Sequence, residues 1–401
     1  YVMPFYFIIM GITFGLAAGT TTMIAQYIGK QDKHRAELVA QNSILMACFF
    51  SIFILSFIYL FGKPLLSLQV KGTGILTLAL DYFYIMAFGS IFLIFSIFIR
   101  GILIGEGESM LPMWALGIGT ILNIILDPFF IDYLGIKGAA YATIISQIIV
   151  VSIFLYFIFI KQSTYIKFSF KSLKFDFQIW REIFHIGIPT SISMLIMSVG
   201  LFLMNSIFIE DSHVAAYNLA NRIENFVTLT LVALSSSQVT ILGMFYGAKR
   251  FDLIKPMVRY TTIWSIAIAS VFSIIIFLFI EDIAPLFLTA SSTQEIDISK
   301  EAIKTTVQYF QVMIFAYPFI GITMVSTRAM QAIGKAWPMM VIALLRVVIL
   351  QCTMTYVFII IMNKDINWAW YAIGNACIMS ALFAYSMRTY FFNKLYKDLE
   401  R

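Results

Sequence analysis

Eleven mostly apolar segments run along this chain, and every second loop between them is rich in Lys and Arg. The connections 30–35, 100, 161–181, 249–259 and 328–335, with the tail 388–401, hold 19 of the 27 basic residues. The intervening loops hold six: Lys63, Lys71, Lys137, Lys300, Lys304 and Lys364. Arg222 and Arg346 fall inside apolar segments. Short loops retained on the cytoplasmic side keep Lys and Arg because carrying them across a bilayer is unfavourable. The alternation therefore reads as a polytopic membrane chain with a cytoplasmic C-terminus, placed in the cell membrane. That constraint leaves few folds. Backbone groups in lipid must satisfy one another, so only helices or closed barrels span. The apolar runs are far longer than the roughly 10 residues of a tilted barrel strand. The fold class is all-α.

Composition agrees. Charged residues are 12% and mean hydropathy is +0.90, whereas a soluble domain carries about 25% charged residues. The net charge of +6 lies in scattered loops with no aromatic-interleaved basic face, so it argues for an anionic leaflet and not for nucleic acid. Cys48, Cys352 and Cys377 lie in apolar segments without paired spacing, which argues against disulfide or metal-site chemistry.

Spans are predicted at about 3–28, 40–62, 78–103, 112–131, 138–160, 182–209, 214–243, 258–280, 301–333, 337–362 and 367–393. Trp114, Trp180, Trp337, Trp368 and Trp370 sit at predicted ends, where interfacial belts form. Residues 161–181 form the longest basic connection and divide the chain. An N-terminal lobe of five helices (1–160) and a C-terminal lobe of six (182–401) flank this linker. The lobes carry related motifs. Ala25-Gln26-Tyr27-Ile28-Gly29-Lys30 returns as Met244-Phe245-Tyr246-Gly247-Ala248-Lys249, 218 residues on. Arg100 with Gly107 and Pro112 returns as Arg328 with Gly334 and Pro338, 226 residues on. Parallel repeats of this kind are a transporter architecture. The partner of helix 182–209 would fall before Tyr1, so a further helix is expected ahead of the eleven seen here.

Several motifs add a family. Arg100-Gly101 with Gly107 and Pro112 is followed by Asn123-Ile124-Ile125-Leu126-Asp127-Pro128 and Gly138-Ala139-Ala140-Tyr141-Ala142-Thr143. The second half adds Gly187-Ile188-Pro189, Ala215-Ala216-Tyr217, Ala220-Asn221-Arg222-Ile223-Glu224 and Gly247-Ala248-Lys249-Arg250. In this order and spacing the set resembles the multidrug and toxic compound extrusion (MATE) family, and the Arg-Ile-Glu stretch resembles its prokaryotic DinF-like branch. The resemblance implies two pseudo-symmetric six-helix bundles, twelve helices with eleven present. It implies an antiporter in which inward H⁺ or Na⁺ drives efflux of small organic, often cationic and amphipathic compounds, without ATP or another cofactor. The chain departs from the family where the usual Gln-Asn pair reads Met244-Phe245. Spans 183–209 and 302–333 also lack the acids that some branches place there.

Asn123 and Asp127 are four apart and share one helix face. A carboxylate and an amide oxygen so placed can share Na⁺, or the amide can hold the acid while it exchanges a proton. In the family this pair, a Thr on the next helix and an Asp on the first helix form a cation site. Thr143 matches the Thr. The competing reading is that Asp127-Pro128 simply marks a turn near a helix end. The second half offers Thr353 and Ile349 at the equivalent positions, so it has no matching acid.

Tyr217, Asn221, Glu224 and Thr228 form one polar stripe, and Asn218, Arg222 and Asn225 an adjoining one, which places this helix beside the substrate cavity. Glu224 lies near the midplane, where an acid is costly against lipid. It either attracts cationic substrate, takes a proton, or pairs with Arg346. Met194 and Met197 are candidate cavity residues because Met repacks around varied ligands, and core packing is the alternative. Gln147, Asn205, Gln238, Gln311 and Asn375 read as interhelical hydrogen-bonding groups. Pro318 kinks or breaks helix 301–333.

The function expected is a cation/organic-compound antiporter acting as a monomer. The rival is a lipid-linked precursor flippase of the same broad superfamily, which would show more helices and a more cationic cavity. An enzyme would need clustered His, Ser-Lys or paired acids at depth, and a channel a filter-like repeat; neither pattern is visible.

Overall fold

Long apolar runs with few interior breakers become long helices, and a computed structural model describes residues 2–67, 73–168, 174–287 and 293–397. In chain order these form α1 (Met3–Gly29), α2 (Lys33–Ser67), α3 (Thr73–Glu106), α4 (Met110–Leu134), α5 (Ile136–Leu155), α6 (Phe177–Ile207), α7 (Asp211–Gly247) and α8 (Ile254–Ile283). They continue as α9 (Thr293–Met313), α10 (Tyr317–Ala332), α11 (337–361) and α12 (Ile366–Lys397). Lys71, Lys171 and Arg401 lie outside the described residues.

The fold is all-helical, and nine of the described helices are long and apolar enough to cross a membrane. The pair α9–α10 is long and apolar enough only when taken together, and it is bent by 63° between Lys300–Met313 and Tyr317–Ala332. The break falls where Pro318 interrupts the predicted helix, because proline removes one backbone donor and clashes with the preceding turn. Ser273 Oγ donates to the Ile314 carbonyl at 2.9 Å, satisfying an acceptor at the break. α11 switches to wider i→i+5 winding at Leu344–Cys352 and Val357–Ile361. α12 is helical throughout but falls outside the apolar set.

Contacts divide the chain into two compact units. The first comprises Tyr1–Ile192 with Gly247–Lys249, and the second Ser193–Tyr246 with Arg250–Arg401. The first sixteen residues of α6, Phe177–Ile192, thus pack with the first unit. Ser191 Oγ donates to the Ile12 carbonyl at 3.1 Å. Within this unit Thr20 and Ser43 hydroxyls meet at 2.9 Å, and Thr21 Oγ1 donates to the Gly101 carbonyl at 2.8 Å. Such small polar residues let membrane helices approach closely and give them directional contacts. A second layer of apolar packing joins α3, α4 and α5 through Ile99, Leu103, Leu111, Ala115, Val150 and Phe154.

The connection after α5 is fastened down along its described parts. Glu106 Oε2 accepts from Ile166 N–H at 3.0 Å and Glu37 Oε1 from Lys167 N–H at 3.3 Å. Asn42, fully buried in α2, donates to the Lys174 carbonyl at 3.1 Å and accepts from Asp176 N–H at 2.9 Å. Asp176 then caps α6, its Oδ1 accepting from Gln178 and Ile179 N–H at 2.9 and 3.4 Å.

The core of the second unit is aromatic. Trp370, Tyr309, Phe310 and Tyr317 are at most 1% exposed. Trp370 stacks on Tyr217 (centroids 6.4 Å apart, planes 13°) and meets Tyr309 edge-on at 5.2 Å. This corrects the expectation that Trp370 belongs to an interfacial belt. It lies on the face of α12 turned toward α7 and α9, whereas Trp368 two residues earlier is 42% exposed. Trp114 is likewise exposed, at 63%.

Candidate functional site

The first-unit candidates sit on the α4–α5 pair. Only Gly135, at φ +59°, separates the two helices, a conformation that L side chains rarely adopt. A side-chain carbon on Gly138 would overlap the Phe130 carbonyl, and one on Gly119 would overlap Val150. Those two approaches fix the antiparallel register, which places Thr143 level with the turn between Asn123 and Asp127.

Asn123 Nδ2 donates to Asp127 Oδ1 at 3.4 Å, and both residues are half-buried. α4 runs unbroken through Pro128 to Leu134, so Asp127 stands about two turns inside the helix and not at a turn. The missing N–H at Pro128 leaves the carbonyl of Ile124, four residues back, without its usual helical donor. Thr143 Oγ1 donates to the Ala139 carbonyl at 3.0 Å, so its hydroxyl hydrogen is engaged within α5. Asn123 and Asp127 thus form one bonded pair on α4, and Thr143 stands at their level on α5.

Tyr82 of α3 lies within electrostatic reach of both Asp127 and Tyr6 of α1. Nothing in the sequence spacing pointed to Tyr82, because it lies on a different helix from the acid. Beside the turn between α4 and α5, Lys137 pairs with Asp81 at 2.7 Å, both side chains about 40% exposed.

The second-unit candidates are placed unevenly. Tyr217 is 5% exposed inside the aromatic core, and its Oη accepts from Gln351 Nε2 at 3.0 Å. Asn221 Nδ2 donates to the Tyr217 carbonyl at 2.7 Å. Asn218 Nδ2 donates to the Val214 carbonyl at 2.9 Å and to Asn205 Oδ1 at 3.3 Å, tying α7 to α6. Of the other single amides, Gln238 reaches the Val325 carbonyl at 3.4 Å.

Met194 is half-buried and Met197 is 44% exposed. Arg346 lies within electrostatic reach of Glu224, but its guanidinium donates to Met197 Sδ at 3.3 Å, and no direct ion pair joins it to the acid. Tyr309 and Tyr317, 85 and 93 residues further along the chain and not anticipated from sequence, also lie within electrostatic reach of Glu224. Among the described residues no group of His, Cys, Asp and Glu is arranged to hold a metal ion.

The MatE family model matches residues 1–129 and 189–357, both sides of the basic linker. The chain belongs to the MatE family. It is 26% identical over 84% of its length to the probable multidrug resistance protein YoeA of Bacillus subtilis, covering 73% of that protein. It is 25% identical over 91% of its length to the probable multidrug resistance protein NorM of Thermotoga maritima, covering 78% of it. A solved structure described as the outward-facing conformation of a multidrug resistance MATE family transporter superposes with TM-score 0.91 at 26% identity, over 98% of this chain and 87% of that one. The chain is thus a multi-pass protein of a multidrug efflux transporter family, embedded in a lipid bilayer and handling small molecules. MatE members are transporters and not enzymes, and the flippase reading is not favoured.

Proposed function

We propose that this chain is a secondary active antiporter of the cell membrane, with a cytoplasmic C-terminus. It exports small organic, cationic and amphipathic compounds in exchange for inward H⁺ or Na⁺, working by alternating access as a monomer and without a cofactor. The observation that carries this reading is the pairing of Asn123 with Asp127 inside α4, with Thr143 at the same level on α5.

An ionisable group in a spanning helix is expensive, so its retention favours a pathway role. In this reading the cation binds Asp127, with Asn123 and Thr143 supplying neutral oxygens. Binding neutralises the carboxylate, and the energy difference between charged and neutral forms biases the helices that surround it. A ligand shifts such an equilibrium only by as much as it prefers one state. A half-buried carboxylate that is bare in one state and neutralised in the other provides that difference.

The test is ethidium efflux from proteoliposomes under a proton gradient alone and a Na⁺ gradient alone. Efflux driven by one of them supports antiport and names the ion. Ethidium movement that neither gradient accelerates contradicts the proposal.

A further inference from the structure

Where α8 begins and α12 nears its end, basic residues of the second unit gather on facing helices. Lys255, Arg259 and Thr262 of α8 stand at i, i+4 and i+7 and so share one face. Two bridges join that face to α12. The Lys255 ammonium lies over the Tyr396 ring at 4.4 Å, and Thr262 Oγ1 accepts from the Arg388 guanidinium at 3.3 Å. Arg259 lies between these bridges and is exposed. Both helices pack along α10 and touch each other little, so long side chains span the seam between them. Val258, Val325, Ala329 and Phe392 pack together beside it, from α8, α10 and α12.

Arg388 is only 9% exposed. Its guanidinium lies over the Tyr385 ring at 4.6 Å and donates to one hydroxyl, that of Thr262. Most of its N–H donors remain for another acceptor, and a buried charge is costly unless it is paired. Among the described residues no carboxylate lies within ion-pair distance of Lys255, Arg259 or Arg388. Asp252, the acid next to them in sequence, is held by Arg250 at 2.9 Å. Thr262 gives its own hydrogen to the Val258 carbonyl at 2.7 Å, so it aims Arg388 and does not itself bind an anion. Two guanidinium forks suit the paired oxygens of a phosphate. Their level is that of lipid headgroups. Arg259 stands at the start of the apolar segment 258–280, and Arg388 five residues inside the end of 367–393, about 7 Å at 1.5 Å per residue. An extended Arg side chain covers that distance. Tyr260 and Trp264, 58% and 48% exposed, meet edge-on at 6.1 Å beside Arg259, as residues of an interfacial belt do.

We infer that Arg259 and Arg388, with Lys255 at the rim, bind the headgroup phosphate of an anionic phospholipid at the seam between α8 and α12. The phosphate takes the N–H donors that Thr262 leaves, and the acyl chains enter the bilayer beside Trp264. A phospholipid fits better than free phosphate because the cations stand at the bilayer surface among exposed aromatic rings. Bound there, it joins α8 to α12 across α10. With the C-terminus cytoplasmic, as proposed above, the lipid belongs to the inner leaflet. The site itself stands without the antiport reading.

Native mass spectrometry of the chain in a neutral detergent, titrated with phosphatidylglycerol or phosphatidylcholine, tests it. The parent is expected to bind its first phosphatidylglycerol about tenfold more tightly than its first phosphatidylcholine. Arg259→Gln and Arg388→Gln are each expected to weaken that first phosphatidylglycerol by about fivefold, the worth of one cation at an anionic headgroup, and to leave phosphatidylcholine unmoved. Arg259 is exposed, so its variant keeps the test open if the buried Arg388→Gln folds poorly. Lys364→Gln, ahead of the other end of α12, is expected to change nothing. Equal affinity for the two lipids overturns the inference, and so does a phosphatidylglycerol affinity unmoved in Arg259→Gln. Inorganic phosphate that displaces the first phosphatidylglycerol from the parent would assign the site to free phosphate and overturn the lipid as its occupant.

Discussion

Replacing Asn42 with Leu is expected to release the start of α6 without unfolding the bundle. Asn42 is fully buried and makes two hydrogen bonds to the linker, to the Lys174 carbonyl at 3.1 Å and from Asp176 N–H at 2.9 Å. Leu has the same branched skeleton of heavy atoms and no polar atoms. It keeps the packing on α2 but leaves two linker backbone groups without partners. Each hydrogen bond contributes about 0.5–1.5 kcal/mol net. Losing both therefore weakens local closure by roughly 1–3 kcal/mol, or about 5- to 150-fold in the opening equilibrium at 1.4 kcal/mol per factor of ten. Hydrogen exchange at the Asp176 amide reads this directly, since local opening governs exchange there. The acceleration should extend into the first turn of α6, because Asp176 caps it, and should spare α1. Exchange at Asp176 within about twofold of the parent would refute the argument that Asn42 holds the linker.

Two further predictions concern local structure. Asp176→Ala removes the cap on Gln178 and Ile179 N–H and should cost about 1 kcal/mol, seen as roughly fivefold faster exchange at those two amides. Gly135→Ala places a side chain at φ +59°, ψ −141°, with nothing within 4 Å to strike, so any loss is backbone strain. A cost of about 1–3 kcal/mol is expected, read as a lower thermal midpoint in nanodiscs.

The spans and their break were legible because lipid imposes a simple rule on sequence. Pro318 stands where α9 and α10 part, and the apolar runs reappear as helices. Helix ends were less legible. α2 begins at Lys33 where apolarity begins near residue 40, and α7 continues to Gly247 beyond the apolar limit near 243. Hydropathy marks where lipid stops, whereas a helix continues into water while its hydrogen bonds and caps allow.

The first-unit pair was legible because Asn123 and Asp127 are four residues apart on one helix. The neighbours of Glu224 were not, because Tyr309 and Tyr317 come from a distant part of the chain and look like ordinary aromatic residues of an apolar span. For the same reason Trp370 read as an interfacial residue until its packing on Tyr217 and Tyr309 was known. Asn42 gave no signal either: one amide in a helix acquires its role only when the linker folds back onto it.

The coupling ratio of cation influx to ethidium efflux, measured in the same proteoliposomes for the parent and for Asp127→Asn, tests the central claim most directly. A cation site at Asn123, Asp127 and Thr143 predicts a fixed ratio in the parent. It predicts loss of gradient-driven efflux and of coupled influx together in the variant. Efflux and coupling that survive Asp127→Asn unchanged would contradict it.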